Sequence, residues 1–181
     1  MMSLKKIDGK QLFKLGLLGL GVGICNIVAV MPALASPAPI FEPVLDELTT
    51  SNFAVRLPTS VPTDVELHPF TRNKHPGFHI LTVGTSPECS GERCLAFNIV
   101  TIPEPNTWPT PEENRLTPLT PVVLGNGIQG YTAEAMGFAS VEWMQDGTLY
   151  ILNYSTDILS FEDAIAMATS MATEPPVSGA Q

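Results

Sequence analysis

Apolar and polar positions alternate most clearly between residues 138 and 155, on both sides of an Asp-Gly pair. Asp146-Gly147 suits the two central positions of a type I′ turn, where both residues need a positive φ. A two-residue turn fixes the register of its flanking strands. The register predicts three cross-strand pairs on one largely apolar face: Trp143 with Tyr150, Val141 with Leu152, and Ala139 with Tyr154.

After this hairpin the apolar residues change to helical spacing. Ser160 followed by Asp163 predicts a capping box, with Asp in place of the usual Glu. An apolar stripe recurs every three to four residues: Phe161, Ala164, Ile165, Ala168, Met171 and Ala172. We expect this helix to lie across the apolar hairpin face, around one core: Val141, Trp143, Tyr150, Leu152, Tyr154, Phe161 and Ile165.

Shorter apolar runs predict more strands before this unit: Phe53–Leu57, Val65–Leu67, Phe78–Val83, Leu95–Ile102 and a Val122–Ala133 hairpin around Gly125-Asn126-Gly127. Between them, Phe70–Gly77 is predicted to be a loop. Strands followed by one helix are typical of an α+β fold. We therefore expect an antiparallel β-sheet of about 6–7 strands with a C-terminal α-helix packed on one face.

The first 35 residues have the pattern of a secretory signal peptide. Four lysines precede an apolar run, Leu15–Val30, and Ala33-Leu34-Ala35 is a small-x-small cleavage site. An uncleaved anchor is the alternative, but the run is shorter than the roughly 20 residues that span a bilayer. We expect Sec-type export to a periplasm, an extracellular space or a lumen, with cleavage after Ala35 and no stable membrane insertion afterwards.

The rest of the chain is predicted to form one domain, residues 53–172, between a flexible segment, 36–52, and a disordered tail, 173–181. Six prolines fall within residues 103–121, which excludes a central strand or a long helix. A linker between two domains is one interpretation of this insert. A long surface connection inside one domain is favoured, because neither flank is large enough to fold alone.

Charge restricts the range of partners. The chain has 9 basic and 18 acidic residues. Removal of residues 1–35 would take away four Lys and one Asp, leaving 5 basic and 17 acidic residues and a net charge of −12. Such a chain lacks the cations that neutralise a phosphate backbone and is repelled by anionic lipid. Nucleic acid is therefore not an expected partner, whereas a basic protein and a divalent cation remain candidates.

Two cysteines remain after the predicted cleavage, Cys89 and Cys94. In an exported chain such a pair predicts a disulfide, here at the tip of a hairpin. A redox-active or metal-binding pair is the alternative, but the spacing is not Cys-x-x-Cys and no second pair exists. If strand pairing continues from the disulfide, two cross-strand pairs follow: Val83 with Val100, and Leu81 with Ile102.

The end of the chain resembles a known group of proteins. Val141-Glu142-Trp143, Asp146-Gly147, Tyr150-Ile151-Leu152 and the 160–171 helix are similar to the C-terminal signature of bacterial extracytoplasmic domains of unknown function. Some of those domains are similar to half-barrel-and-helix proteins that carry lipoproteins or sense envelope stress. The resemblance covers about residues Val122–Met171 and implies no catalytic residue.

The residues that could carry chemistry are few. His68, His75 and His79 are all the histidines of the chain, and imidazoles in an exported protein are candidate ligands for zinc or copper. No nucleophile motif, dinucleotide fingerprint or P-loop is present in the sequence. Trp108, inside the Pro-rich insert, is either an indole plugged into the core or a surface recognition element.

These observations favour an exported, non-enzymatic domain that needs no cofactor and binds a protein or an apolar small molecule. An accessory subunit of an envelope or lumenal complex is the second hypothesis, because the acidic surface and the Pro-rich insert would then be contact surfaces. A metal-binding protein that uses His68, His75 and His79 is the third.

Overall fold

The chain folds into one antiparallel sheet with helices on one face. The computed structural model describes residues 36–105, 107–110 and 117–177, without the side chains of residues 72–74. The strands are β1 (His68–His75), β2 (Phe78–Gly84), β3 (Leu95–Pro103), β4 (Thr120–Val123), β5 (Gln129–Ala135), β6 (Phe138–Gln145) and β7 (Thr148–Ser155). The helices are α1 (Leu45–Thr49) and α2 (Phe161–Thr173). The predicted α+β class, with C-terminal helix α2 on the sheet, is confirmed.

The strand order is β1-β2-β3-β7-β6-β5-β4. Strands β1 to β3 form one meander, and β4 to β7 form a second that returns to pair β7 with β3. The Pro-rich stretch joins the two by crossing from the middle of the sheet to its far edge. The chain from residue 36 onwards belongs to one compact unit, so a connection inside one domain, and not a linker between two, is the correct interpretation.

The β6–β7 hairpin has the predicted turn and register. Asp146 and Gly147 have φ values of 52° and 76°, as a type I′ turn requires. Trp143 lies opposite Tyr150, and their rings stack with centroids 5.4 Å apart. We call this side of the sheet, which carries Trp143 and helix α2, the inner face. The opposite side is the outer face.

Helix α2 begins at the predicted capping box. The Ser160 hydroxyl accepts a hydrogen bond from the Asp163 amide, and the Asp163 carboxylate accepts one from the Ser160 amide. The side chains that pack into the core with Trp143 are Ala164, Met167, Ala168, Met171 and Ala172. Of the two helix residues predicted for the core, Ile165 is partly buried against it.

The core prediction for Phe161 is wrong, because this side chain is 51 % exposed. It lies on the same helical face as Ala168, since positions seven residues apart differ by only about 20° around a helix. Ala168 is fully buried. The first turn of α2 therefore overhangs a part of the inner face that is not filled, and Phe161 stands over this space.

The segment 36–52, predicted to be flexible, is part of the core. It forms a 3₁₀ turn, Pro39–Val44, followed by α1. Phe41 and Leu48 are fully buried, and Phe41 meets Phe97 edge to face with ring centroids 6.5 Å apart. The physical reason is that α2 alone cannot cover seven strands, so this segment covers the inner face of the remaining ones.

Three secondary-structure predictions before β2 are wrong. Phe53–Leu57 and Val65–Leu67 are not strands, and β1 occupies most of the predicted 70–77 loop. Strand β1 lies at the edge of the sheet and pairs only with β2. Polar residues are common in such edge strands, so its sequence lacks the apolar pattern by which a strand is predicted. Val55 is fully buried in the core, and its carbonyl accepts a hydrogen bond from the amide of Val177, a residue of the tail predicted to be disordered.

The register predicted between β2 and β3 is also wrong. Val83 pairs with Phe97 and Leu81 with Ile99, three residues from the expected partners. A 3₁₀ turn at Glu92–Cys94 takes up part of the connection, and the pairing shifts between Val83 and Gly84. In contrast, the predicted hairpin around Gly125–Gly127 forms as β4 and β5.

Candidate functional site

A groove opens on the inner face between the sheet edge at β4–β5 and the beginning of α2. Its volume is about 480 Å³. Its lining comes from the connection into β4, from four neighbouring strands and from the start of the helix: Thr117, Pro118, Thr120, Thr132, Ala133, Glu134, Ala139, Tyr154, Thr156, Leu159, Ser160 and Phe161. The groove therefore lies between sheet and helix.

Strand register explains the floor of the groove. Tyr154 lies directly opposite Ala139, and Ala139 lies opposite Glu134. Directly paired residues project from the same face, so these three form one row across β7, β6 and β5. The alanine methyl in the middle is small, which leaves room above the row. Thr132 and Thr120, paired on the next row, continue the floor with hydroxyl groups.

Helix α2 supplies the opposite wall. Leu159 is 1 % exposed and holds the chain against the core just before the helix begins. The Ser160 hydroxyl accepts the hydrogen bond that caps the helix. The next residue, Phe161, places its ring at the rim of the groove. Glu162 follows at an exposed position and does not line the groove, although its charge acts on Tyr154. The helix wall thus presents one exposed aromatic ring.

Tyr154 is the one strongly buried polar side chain among the described lining residues. It is 2 % exposed, and its hydroxyl makes no hydrogen bond with any residue that the structure describes. Burial raises the pKa of Tyr154, and the carboxylates of Glu134 and Glu162 raise it further. The phenol is therefore neutral at neutral pH and can donate or accept a hydrogen bond.

The outer face of the sheet carries a second, flatter surface. One row of directly paired residues crosses it: Ile80, Val100, Ile151, Glu142 and Tyr131. Except for Glu142 these side chains are apolar or aromatic, and all five are partly buried. Helices α1 and α2 both pack on the inner face, so neither covers this row.

Trp108 belongs to this outer surface and not to the core. Its ring meets Tyr131 edge to face, with centroids 5.5 Å apart, and its side chain is partly buried. The indole Nε1 is buried without a hydrogen-bond partner among the described residues. Trp108 is therefore not the predicted plug in the core, and its role as a surface recognition element stays a prediction.

The cysteine pair lies at the other side of the outer face. Cys89 and Cys94 are at disulfide-bonding distance, with Cα atoms 5.5 Å apart. The loop between them borders a hollow of about 350 Å³ whose other wall includes Ile80, Thr82 and Asn98. The loop thus bends over the sheet, and the arrangement fits the predicted disulfide.

The three histidines do not form a cluster, which corrects the predicted metal site. His68 pairs with Gly84 at one end of the β1–β2 hairpin, and His75 pairs with Phe78 at the other. The two are seven positions apart along the strand, which corresponds to roughly 23 Å. His79 is on the inner face, where its ring packs against Phe53 with centroids 5.8 Å apart. Within residues 36–177, gaps excepted, no three His, Cys, Asp or Glu side chains are grouped as metal ligands would be.

Sequence patterns did not reveal two important residues. Arg56 is 6 % exposed, donates to the Met171 and Glu174 carbonyls at the end of α2, and contacts Asp146 at 3.3 Å. Glu134 projects from the inner face although it is charged. The β5–β6 hairpin turns at Met136-Gly137, with φ values of 52° and 80°. This two-residue turn fixes the register and places Glu134 opposite Ala139 on the inner face, so recognition of the turn in the sequence would have revealed the inward-facing carboxylate.

The described part of the chain has no helix whose length and apolar content would let it cross a membrane. The predicted signal peptide, residues 1–35, and the end of the tail, 178–181, lie outside the described residues. The resemblance of residues 122–171 to bacterial extracytoplasmic domains stays a prediction. No family of proteins matches this chain in a scan, and searches of curated proteins and of solved structures find no match either.

Proposed function

We propose that this protein is an exported, non-enzymatic binding domain, and that its ligand occupies the groove between β4–β5 and the beginning of α2. The observation that carries this proposal is the position of Phe161. It lies on the helical face that is buried elsewhere in α2, yet it is 51 % exposed above an open groove. A ligand with an apolar part would cover this ring.

Two further properties support binding at this place. Concave sites with an apolar wall and a few placed polar groups are the usual form of ligand sites in proteins. The groove offers both, because Phe161, Leu159 and Pro118 are apolar, while Thr132 and Tyr154 present hydroxyl groups. The ligand is an apolar small molecule or a short segment of another protein.

The test is titration of the purified protein with N-phenyl-1-naphthylamine, a neutral apolar dye whose fluorescence rises on burial. We expect saturable binding that Phe161→Asp lowers at least fivefold. Val65→Asp is the matched control, since Val65 is also a large apolar residue with similar exposure, 45 %, outside the groove. Equal loss in both variants, or saturable binding unchanged by Phe161→Asp, would contradict the proposal.

A second candidate function is that of an accessory subunit, and the apolar row of the outer face favours it. A protein partner could bury Ile80, Val100 and Ile151 against a flat surface of its own. Val100→Lys places a charge at the centre of this row. In gently prepared extracts of the source cells, a subunit should elute well above its monomer mass, and Val100→Lys should return it to monomer size. Elution of the unmodified protein as a monomer would exclude this role.

A further inference from the structure

We propose that the groove selects a primary ammonium group attached to an apolar chain, with the cation held by Tyr154 and Glu134 and the chain lying against Phe161. This inference rests on the proposed function, because it names the class of ligand for the same groove. The two sources of such chemistry are a small alkylamine and a lysine side chain in a peptide.

The Tyr154 hydroxyl makes no hydrogen bond within the described part of the chain. It is not among the fully buried side-chain atoms that lack a partner, so it is open to the groove and to a ligand there. Tyr154 lines the groove, and the hydroxyl is the only polar atom of its side chain. A ligand that brings a hydrogen-bond donor or acceptor to this point can therefore pair with it.

The charges that the structure describes around the groove are negative. Glu134 lines it, and Glu162 is close enough to influence Tyr154 electrostatically. Among the described lining residues there is no Lys, Arg or His. Glu134 is the charged residue among the described lining residues, and its carboxylate repels an anion. A cation would be attracted by it, and its N–H groups can donate to the Tyr154 oxygen and the Glu134 carboxylate together.

The spacing between Glu134 and Tyr154 also suits an ammonium group. Glu134 and Tyr154 are two strand spacings apart, roughly 10 Å between backbones, with only the Ala139 methyl between them. An ammonium group above Ala139 is small enough to fit between the two side chains and carries three donors. The Phe161 ring at the rim then covers the chain attached to the nitrogen, and its face attracts a cation at short range.

The experiment compares three ligands of equal chain length by calorimetric titration of the protein produced from the full chain: hexylammonium, hexanol and hexanoate. Hexylammonium should bind at least threefold more tightly than hexanol, and hexanoate should bind most weakly. Glu134→Gln should weaken hexylammonium about two- to fivefold, the usual effect of one exposed ion pair, and leave hexanol unchanged. Glu88→Gln, an exposed carboxylate near the disulfide, is the control and should change neither.

Tyr154→Phe removes only the hydroxyl and should also weaken hexylammonium more than hexanol. If this variant does not fold, Glu134→Gln still tests whether the groove prefers an ammonium group, because Glu134 is exposed and is not needed for the core. To distinguish the two sources, the peptides acetyl-Leu-Lys-Leu-amide and acetyl-Leu-norleucine-Leu-amide are compared. If the lysine peptide binds more tightly than both the norleucine peptide and hexylammonium, the ligand is a peptide. If the lysine peptide binds more weakly than hexylammonium, the ligand is a small amine.

Two results would overturn the inference. The first is equal affinity for hexanoate and hexylammonium, and the second is equal loss in Glu134→Gln and Glu88→Gln. Either result, together with saturable dye binding at Phe161, leaves the proposed function intact. Absence of binding by the dye and by all three ligands means that the groove is not a site, and then both proposals fail.

Discussion

Two aromatic residues of the same predicted core should respond very differently to truncation. Trp143 is fully buried and stacked on Tyr150, so Trp143→Ala should lower the free energy of unfolding by about 3–5 kcal/mol. Phe161 keeps about half of its surface in solvent. Complete burial of a phenylalanine is worth about 1.5–3 kcal/mol, so Phe161→Ala should cost only about 1 kcal/mol.

Urea denaturation followed by far-UV circular dichroism measures both variants, since loss of Trp143 removes the main fluorescent reporter of the core. Phe161→Ala should retain its fold and lose most of its dye binding, whereas Trp143→Ala should lose stability first. The separation of the two effects is what assigns Phe161 to binding. If Phe161→Ala is as destabilised as Trp143→Ala, the ring belongs to the core and the groove has no exposed aromatic wall.

Two further perturbations test parts of the structure that the sequence did not indicate. Arg56→Met should cost about 2–3 kcal/mol, because two carbonyls at the end of α2 lose a charged donor, while Arg93→Met at the exposed disulfide tip should cost less than about 0.5 kcal/mol in the same urea titration. Burial lowers the pKa of His79 below its ordinary value of 6.5, and Glu47 opposes this only in part. The unfolded chain therefore binds the proton more readily, so this group contributes a loss of stability as pH falls below about 6.5. His79→Leu should reduce that loss and His75→Gln should not; equal pH dependence in all three proteins would contradict the burial of His79.

The parts of the fold that could be predicted are those in which local signals agree. The β6–β7 hairpin was correct to the residue because Asp146-Gly147 allows only one tight turn and one register. The beginning of α2 was correct because Ser160 and Asp163 satisfy each other's backbone amides. In both cases the information lies within a few neighbouring residues, so no distant contact is needed to resolve it.

The errors fall where distant contacts decide. Strand β1 contains few apolar residues, and only pairing with β2 makes it a strand. The 36–52 segment has the prolines and charges of a flexible region, yet Phe41 and Leu48 are held by the inner face. The β2–β3 register differed from the prediction because the connection contains a 3₁₀ turn, Glu92–Cys94, which no two-residue turn rule describes.

The groove illustrates why a site can be hidden in a correct secondary-structure prediction. Phe161 satisfies the helical pattern, and periodicity alone places it in the core. Whether the space beneath it is filled depends on the length of α2 relative to the sheet and on the small residue at 139, which belong to different elements. An apolar residue that fits its pattern and is still exposed is a feature of the assembled molecule. Measured binding at Phe161, with little loss of stability in Phe161→Ala, would establish that this departure from the pattern serves recognition.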